Sequence, residues 1–261
     1  MHGRDLARAA ELTRGKRAMT ASRVRIRAWV PLLLIAMRAT GAIAFDPLPA
    51  DARGSTWQLD PSQKGQTDLI AYRTLTRKDF RAKQPPPQAR ASADRLGAAT
   101  CSYLVPDQQS LRIRATPRKR KDGSWEYVAK PDQLQFRGGM DRRCSWWNDH
   151  QKQLAPDYVL AHEQIHFALT EIHARRLNER GGELVRRMTA VDTDPQHAIA
   201  EAEAALNRLL EAESRALLER NDRFDAETSL GYRPTAQQQW RARVEKELRE
   251  TERFARKGAM Q

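Results

Sequence analysis

The sequence predicts an α+β protein, in which a strand-rich N-terminal part packs on a helical C-terminal part. Before about residue 150, short apolar runs with partial alternation are separated by proline, glycine and charged turns, a pattern typical of strands. After it, long stretches with apolar residues at helical spacing each begin near a proline. A chain of 261 residues is long enough to bury a substantial core. We therefore predict one domain over residues 45–261, strand-rich at 45–150 and helical at 151–261.

Residues 1–44 have the organisation of a secretory signal peptide. Three arginines within 23–27 are followed by an apolar run and then by small residues that form a cleavage site. The apolar run is about ten residues long, whereas a membrane span needs about 20. We predict cleavage after Ala44 and a periplasmic or secreted protein without a transmembrane anchor. The translation start is Met1 or Met19.

The leader carries much of the positive charge of the chain. The whole sequence has 46 Lys+Arg and 33 Asp+Glu, a formal charge of +13, whereas residues 45–261 have 37 and 31, a charge of +6. The basic run at 118–121 adjoins Asp122 and Gly123, a pair that favours a hairpin turn. We therefore expect a solvated turn there, in preference to an anionic contact surface, and no nucleic-acid partner.

The remaining local signals place strands, helices and one disulfide. Cys101 and Cys144 are an even pair in an exported chain, so we predict that they are bonded to each other; two free buried thiols are the alternative.

Helices are expected at about 156–180, 195–221 and 234–254, and the first of them is ended by two glycines. Strands are expected at four short runs with partial alternation: 69–72, 100–105, 111–115 and 125–129.

The first predicted helix carries the string His162-Glu163-Gln164-Ile165-His166. Residues four apart share one face of a helix, so both imidazoles can converge on one ion. Zinc accepts neutral imidazole nitrogen, and catalytic zinc sites leave one position to water. Glu163 is turned about 100° from His162, beside that water, where it can act as general base. The alternative is a chance string whose histidines are hydrogen-bonded core residues, but the apolar flanks indicate a buried helix whose polar groups need strong partners.

A catalytic zinc site needs a third protein ligand. His173 lies about 10 Å along the axis from His166 and is too far away. The second predicted helix is a better source, because Glu213 falls on its apolar stripe, where a carboxylate needs a partner. Glu213 is the first candidate, with Glu203 and Asp225 as alternatives. All three carboxylates can instead form surface or interhelical ion pairs.

Three stretches resemble a known family: YRTLTRKDF at 72–80, HEQIHFALTEIHAR at 162–175 and FDAETSLG at 224–231. They are similar to the LTWxDF-like, HEQxHFxxxE…AR and YDxETxHG segments of the domain of unknown function 922 family, predicted secreted zinc-dependent proteases of bacteria. One position departs from the pattern. Where the family has histidine, this chain has Leu230, which cannot ligate zinc or form a hydrogen bond through its side chain.

The resemblance implies an exported, zincin-like zinc metallopeptidase that acts on a peptide or protein substrate. His162 and His166 are then zinc ligands and Glu163 the catalytic base. The alternative is a catalytically inactive binding or structural protein of the cell envelope, which keeps the zincin-like helix and in which Leu230 marks lost activity.

Overall fold

A computed structural model of the chain describes residues 56–58, 68–87, 89–107 and 111–256. All of them belong to one compact unit, Thr40–Gln261. The chain is α+β, with strands in its first part and four helices in its second, which confirms the predicted fold class. The predicted signal peptide and the cleavage site after Ala44 lie outside the described residues.

The strands of the described residues are β1 (Thr56–Gln58), β2 (Leu69–Ala71), β3 (Ala98–Ala99), β4 (Ser102–Pro106), β5 (Arg112–Lys119), β6 (Trp125–Pro131), β7 (Phe136–Asp141), β8 (Trp146–Trp147) and β9 (Ala190–Asp192). They form three antiparallel sheets, with the orders β1-β5-β6-β9, β2-β7-β4 and β3-β8. Four strands, β1, β3, β7 and β8, lie outside the predicted runs, and β9 lies in the helical part.

The β5–β6 hairpin forms where the sequence predicts it. Ile113 and Ala115 are buried while their neighbours along β5 are exposed, as expected of a strand with one face on a core. Gly123 has a φ of 89°, which glycine adopts without steric cost. Asp122 Oδ1 accepts a hydrogen bond from Ser124 N at 2.9 Å. The basic run before this turn is mostly exposed.

The helices differ from the prediction mainly in their ends. They are α1 (Pro156–Glu179), α2 (Gly181–Arg187), α3 (Pro195–Thr228) and α4 (Pro234–Glu250). The two glycines that end α1 also begin the short helix α2, which was not predicted. Helix α3 continues beyond Asn221 to Thr228 and therefore includes Asp225. Among the described residues, no helix is long and apolar enough to cross a membrane.

Helix α1 lies at the centre of the unit and contacts β4, β7, α3 and α4. It approaches β7 closely at Gly138, where an added Cβ would lie 3.0 Å from the Cα of Glu171. Glu171 is buried, and its Oε2 accepts a hydrogen bond from Gly138 N at 3.0 Å. Its Oε1 accepts from Arg175 Nε at 2.7 Å. This buried carboxylate therefore joins the helix to the sheet.

Cys101 and Cys144 are joined by a disulfide, which confirms the predicted pairing. Their Cα atoms are 5.7 Å apart, and 43 positions separate them in the sequence. The bond connects the residue before β4 to the turn that follows β7, so it fixes two strands of the sheet under α1.

Replacing both cysteines by serine is expected to lower the free energy of unfolding by about 2–4 kcal/mol, because the unfolded chain gains loop entropy. Guanidinium denaturation of the oxidised protein and of the double variant measures the difference. The parent protein in reductant serves as the control and should match the double variant. An unchanged unfolding midpoint would contradict a stabilising disulfide.

Candidate metal centre

Two histidines of α1 and one aspartate of α3 meet in the structure. Asp225 Oδ1 lies 3.1 Å from Nε2 of His162 and 3.1 Å from Nε2 of His166. One potential ligand atom from each residue lies within 4.8 Å of the others. We call these three residues the His-His-Asp group; they are spaced closely enough to hold one metal ion.

A side-chain amide fixes the proton of the first histidine. Gln237 is buried and its Nε2 donates to the carbonyl of Tyr158 at 3.3 Å, so its Oε1 faces His162. That oxygen lies 2.9 Å from His162 Nδ1. Because a carbonyl oxygen only accepts, Nδ1 carries a hydrogen, and Nε2 is the ring nitrogen that faces Asp225.

The second histidine has a matching partner. Asn221 Nδ2 donates to the carbonyl of Leu217 at 2.8 Å, which directs its Oδ1 at His166. The distance from that oxygen to His166 Nδ1 is 2.6 Å. Both histidines therefore present Nε2 to the same point. Hydrogen bonds of this kind orient metal-binding imidazoles and raise their basicity.

The convergence of these atoms favours a positive charge among them. Two imidazole lone pairs and a carboxylate repel one another unless a proton or a cation lies between them. Burial alone would lower the pKa of His166, but the Asp225 carboxylate and further hydrogen bonds outweigh it and raise that pKa to about 9. Burial would raise the pKa of Asp225, but the two histidines hold it well below its usual range.

In the chelator-treated chain, the His166–Asp225 pair is expected to make stability depend on pH. The pKa of His166 is about 9 in the folded chain, whereas the ordinary pKa of histidine is 6.5. The stability that this residue contributes is therefore fully present below pH 6.5 and is lost as the pH rises through 9. The pKa of Asp225 is lowered, so its contribution is present above the ordinary pKa of 3.8 and is lost on acidification. Urea denaturation should therefore give a falling free energy of unfolding between pH 6.5 and 9.

The same titration of Asp225→Asn is the control, because this change removes the charge that raises the pKa of His166. Its profile should be flatter over that window. A parent protein with equal stability at both ends of the window would contradict the proposed pairing.

An aromatic cluster packs against the two histidine rings. Phe224 stacks on His162 with ring centroids 4.4 Å apart and meets His166 edge-on at 4.8 Å. Trp240 of α4 packs against Phe224 at 5.4 Å and donates a hydrogen bond to Glu227 at 2.8 Å. The group is therefore held by a packed core that α1, α3 and α4 share.

Glu163 is a buried carboxylate beside the group. Its exposed fraction is 3%. Together with His162 it lines a small cavity of about 10 Å³, which we call the Glu163 cavity. That volume is about what one water molecule requires. A carboxylate in a largely buried position needs a polar partner, and water in this cavity can provide one.

The loop after α3 covers the Glu163 cavity. Ser229, Leu230 and Gly231 all have positive φ, at 54°, 59° and 89°. For the serine and the leucine this conformation costs about 1–2 kcal/mol each. Tyr158 stabilises the loop by donating from its hydroxyl to the carbonyl of Gly231 at 2.7 Å. Leu230 lines the cavity with its apolar side chain.

Gln164, an uncharged residue inside the motif, connects α1 to the segment that follows β2. Its Oε1 accepts from Leu75 N at 2.7 Å, and its Nε2 donates to the carbonyl of Arg73 at 3.2 Å. Arg73 in turn pairs with buried Asp79 at 2.5 Å. The stretch at 72–80 thus contacts α1 through Gln164, and the stretch at 224–231 contacts it through Asp225.

The structure places Glu213, the first candidate for third ligand, away from the two motif histidines. Glu213 Oε2 lies 2.7 Å from His173 Nε2, and its Oε1 accepts from Arg180 at 3.4 Å. Helices α1 and α3 are antiparallel here, so His166 faces Asp225 while His173 faces the earlier Glu213. Glu213 and Asp225 are 12 positions apart, which corresponds to about 18 Å along the helix. Asp225, one of the two alternatives, is the carboxylate at the site.

Glu203, the other alternative, lies still earlier on α3, half-buried, and burial raises its pKa to about 7. The two amides that orient the histidines were not predicted. Asn221 could have been found, because it lies four residues before Asp225 and shares its helical face. Gln237 has no comparable signal, because its position depends on how α4 packs against α1.

No protein-family model, curated protein or solved structure matches the chain. The chemistry of the site therefore rests on its own residues. Two imidazole nitrogens and one carboxylate oxygen are a donor set that metal ions such as zinc take in proteins. Held by side-chain amides and backed by packed aromatic rings, the His-His-Asp group fits a metal ion.

Proposed function

We propose that the protein is an exported zinc-dependent hydrolase, and specifically a metallopeptidase. The observation that carries the proposal is the buried Glu163, which lines a water-sized cavity together with His162 of the His-His-Asp group. A hydrolase needs a base beside an activated water, and a carboxylate at this position can serve as one.

His162, His166 and Asp225 would hold the ion through Nε2, Nε2 and Oδ1. When bound, zinc lowers the pKa of a coordinated water to about 7 and polarises a carbonyl oxygen. Gln237 and Asn221 accept the Nδ1 hydrogens, so Nε2 is the nitrogen of each histidine that would bind the ion.

Glu163 takes the proton from water in the Glu163 cavity and returns it to the leaving amine. Its carboxylate adjoins His162 in the wall of that cavity. The apolar side chain of Leu230 and the small volume limit the number of competing waters, which strengthens electrostatic interactions there.

Export is supported by two features. The disulfide between Cys101 and Cys144 is typical of oxidising compartments, and the leader has the organisation of a signal peptide. We propose a periplasmic or secreted location on these grounds.

Leu230 favours a second candidate, a catalytically inactive binding or structural protein of the cell envelope. A side chain without a polar atom lines the cavity at the position where the resembled family has histidine. Such a protein would retain metal as a link between α1 and α3 without hydrolysing peptide.

Metal analysis and a proteolysis assay separate the two candidates. The exported chain is purified without chelator, its zinc content is measured by mass spectrometry, and casein hydrolysis is followed with and without 1,10-phenanthroline. We expect about one zinc per chain and hydrolysis that chelation removes and added zinc restores. Bound zinc without hydrolysis would favour the inactive protein. The absence of both zinc and hydrolysis would refute the metal site.

A further inference from the structure

A second cavity, much larger than the Glu163 cavity, lies at the beginning of α1. It has a volume of about 380 Å³ and is bounded by β8, the segment that follows it and the first turn of α1. We call it the Trp147 pocket. Binding pockets for small ligands start at roughly 300 Å³, so this one suits a single large group.

The Trp147 pocket adjoins the Glu163 cavity. Gly97, Leu154 and Val159 line both of them. Val159 precedes Glu163 by one helical turn, a distance of about 6 Å along the axis. An added Cβ at Gly97 would lie 2.6 Å from a Val159 methyl, so the strand and the helix approach closely at this boundary. A substrate held at Glu163 would therefore have its next side chain at the pocket.

The polar side chains around the Trp147 pocket already have partners. Arg77 pairs with Asp149 and lies over the Trp147 ring, with its Cζ 5.4 Å from the centroid. The Asn148 amide donates to two backbone carbonyls and accepts from two backbone N–H groups. Gln151 donates to a tyrosine hydroxyl at 3.0 Å and accepts from a backbone N–H at 3.1 Å.

The pocket has both polar and apolar surface. Trp147, Leu154 and Val159 contribute the apolar part, and Gly97 and Ala155 add no polar side chain. Lys152 is exposed, and its Nζ donates to a backbone carbonyl at 2.6 Å. An apolar side chain that packs against the apolar part would lose water there, while the polar side chains of the lining keep the partners that they have within the protein.

We propose that the Trp147 pocket binds a large apolar side chain, aromatic or long aliphatic, of the peptide residue next to the scissile bond. This inference rests on the proposed metallopeptidase function and adds its substrate preference. The pocket lies one helical turn from the base and is continuous with its cavity. Its size admits one bulky side chain, and its polar groups are satisfied within the protein.

A peptide series tests the preference by binding and by hydrolysis. Peptides identical except for Phe, Leu, Ala, Glu or Lys at one position are titrated calorimetrically into the zinc-loaded Glu163→Gln variant, which should bind without cleaving. They are also offered to the parent protein, and the cleaved bond is located by mass spectrometry. The Phe and Leu peptides should bind and react about 10–100-fold better than the other three.

Ala155→Phe provides the structural test. Ala155 lines the pocket, is exposed and has an extended backbone, so a larger side chain can be accommodated by filling the pocket. We expect this variant to keep its zinc and to lose the preference for Phe and Leu while retaining the Ala peptide. Ala242→Phe, on the exposed side of α4, is the matched control and should keep the preference.

The outcomes separate this inference from the proposed function. Equal binding of all five peptides, or an unaltered preference in Ala155→Phe, overturns the assignment of the pocket even if the parent protein hydrolyses peptide. Preferential binding of Phe and Leu peptides without hydrolysis by the parent protein overturns the peptidase and retains the pocket. The parent protein's own preference decides the matter if Ala155→Phe does not fold.

Discussion

Replacing His162 or His166 by alanine is expected to leave the purified protein without metal and without hydrolysis, because each change deletes one of the three proposed ligand atoms. Loss of a hydrogen-bond partner of a ligand already costs about 10–100-fold in metal affinity. Metal content by mass spectrometry and competition with a chromogenic chelator measure the loss. His173→Ala is the matched control, because His173 lies on the same helix and pairs with Glu213 outside the site.

The third ligand is tested in the same assay. Asp225→Ala should lose metal as the histidine variants do, and Glu213→Gln should retain it, because Glu213 is held by His173 and Arg180. Retention of metal by Asp225→Ala together with loss in Glu213→Gln would contradict the group seen in the structure. Circular dichroism of each variant verifies that its helices are intact.

Glu163→Gln is expected to keep the metal and to reduce hydrolysis by about 10²–10⁴-fold, the usual contribution of a positioned general base. Glutamine preserves the size of the side chain and the helix but cannot accept a proton. Steady-state cleavage of a peptide with a Phe residue, measured beside metal content, separates this variant from the ligand variants.

Glu179→Gln, an exposed glutamate on the same helix, is the control and should leave both quantities unchanged. Loss of metal in Glu163→Gln would mean that Glu163 is a ligand or a structural partner. Cleavage at the rate of the parent protein would mean that the chemistry takes place elsewhere.

Most of the fold follows from local patterns in the sequence, and the exceptions have physical reasons. The β5–β6 hairpin was predicted because alternation and an Asp-Gly turn agree. Strand β7 was missed because Gly138 and Gly139 interrupt its pattern. Those glycines weaken a strand locally, yet Gly138 is needed because Glu171 lies 3.0 Å from where a Cβ would stand.

Half of the site was predictable in the same way. The spacing of His162 and His166 is a helical repeat, so their convergence could be predicted without tertiary information. Identifying the third residue required tertiary information. Glu213 and Asp225 are both carboxylates on α3, and the antiparallel register of α3 against α1 decides which of them meets the motif. That register depends on the packing of Phe224 and other core residues, which local sequence does not specify.

The His-His-Asp group joins two helices whose contacting residues are 59 positions apart in the sequence. In the unfolded chain, only the two neighbouring histidines could bind one ion together. A metal ion would therefore bind the native state more tightly than the unfolded state. Mass action then adds about 4 kcal/mol of stability when free metal is 1,000 times Kd. Amide hydrogens at the C-terminal end of α3 should exchange with deuterium more slowly when metal is supplied, while those of the β5–β6 hairpin exchange as before. On the proposed function, the lifetime of the folded protein would depend on the local supply of metal as well as on its sequence.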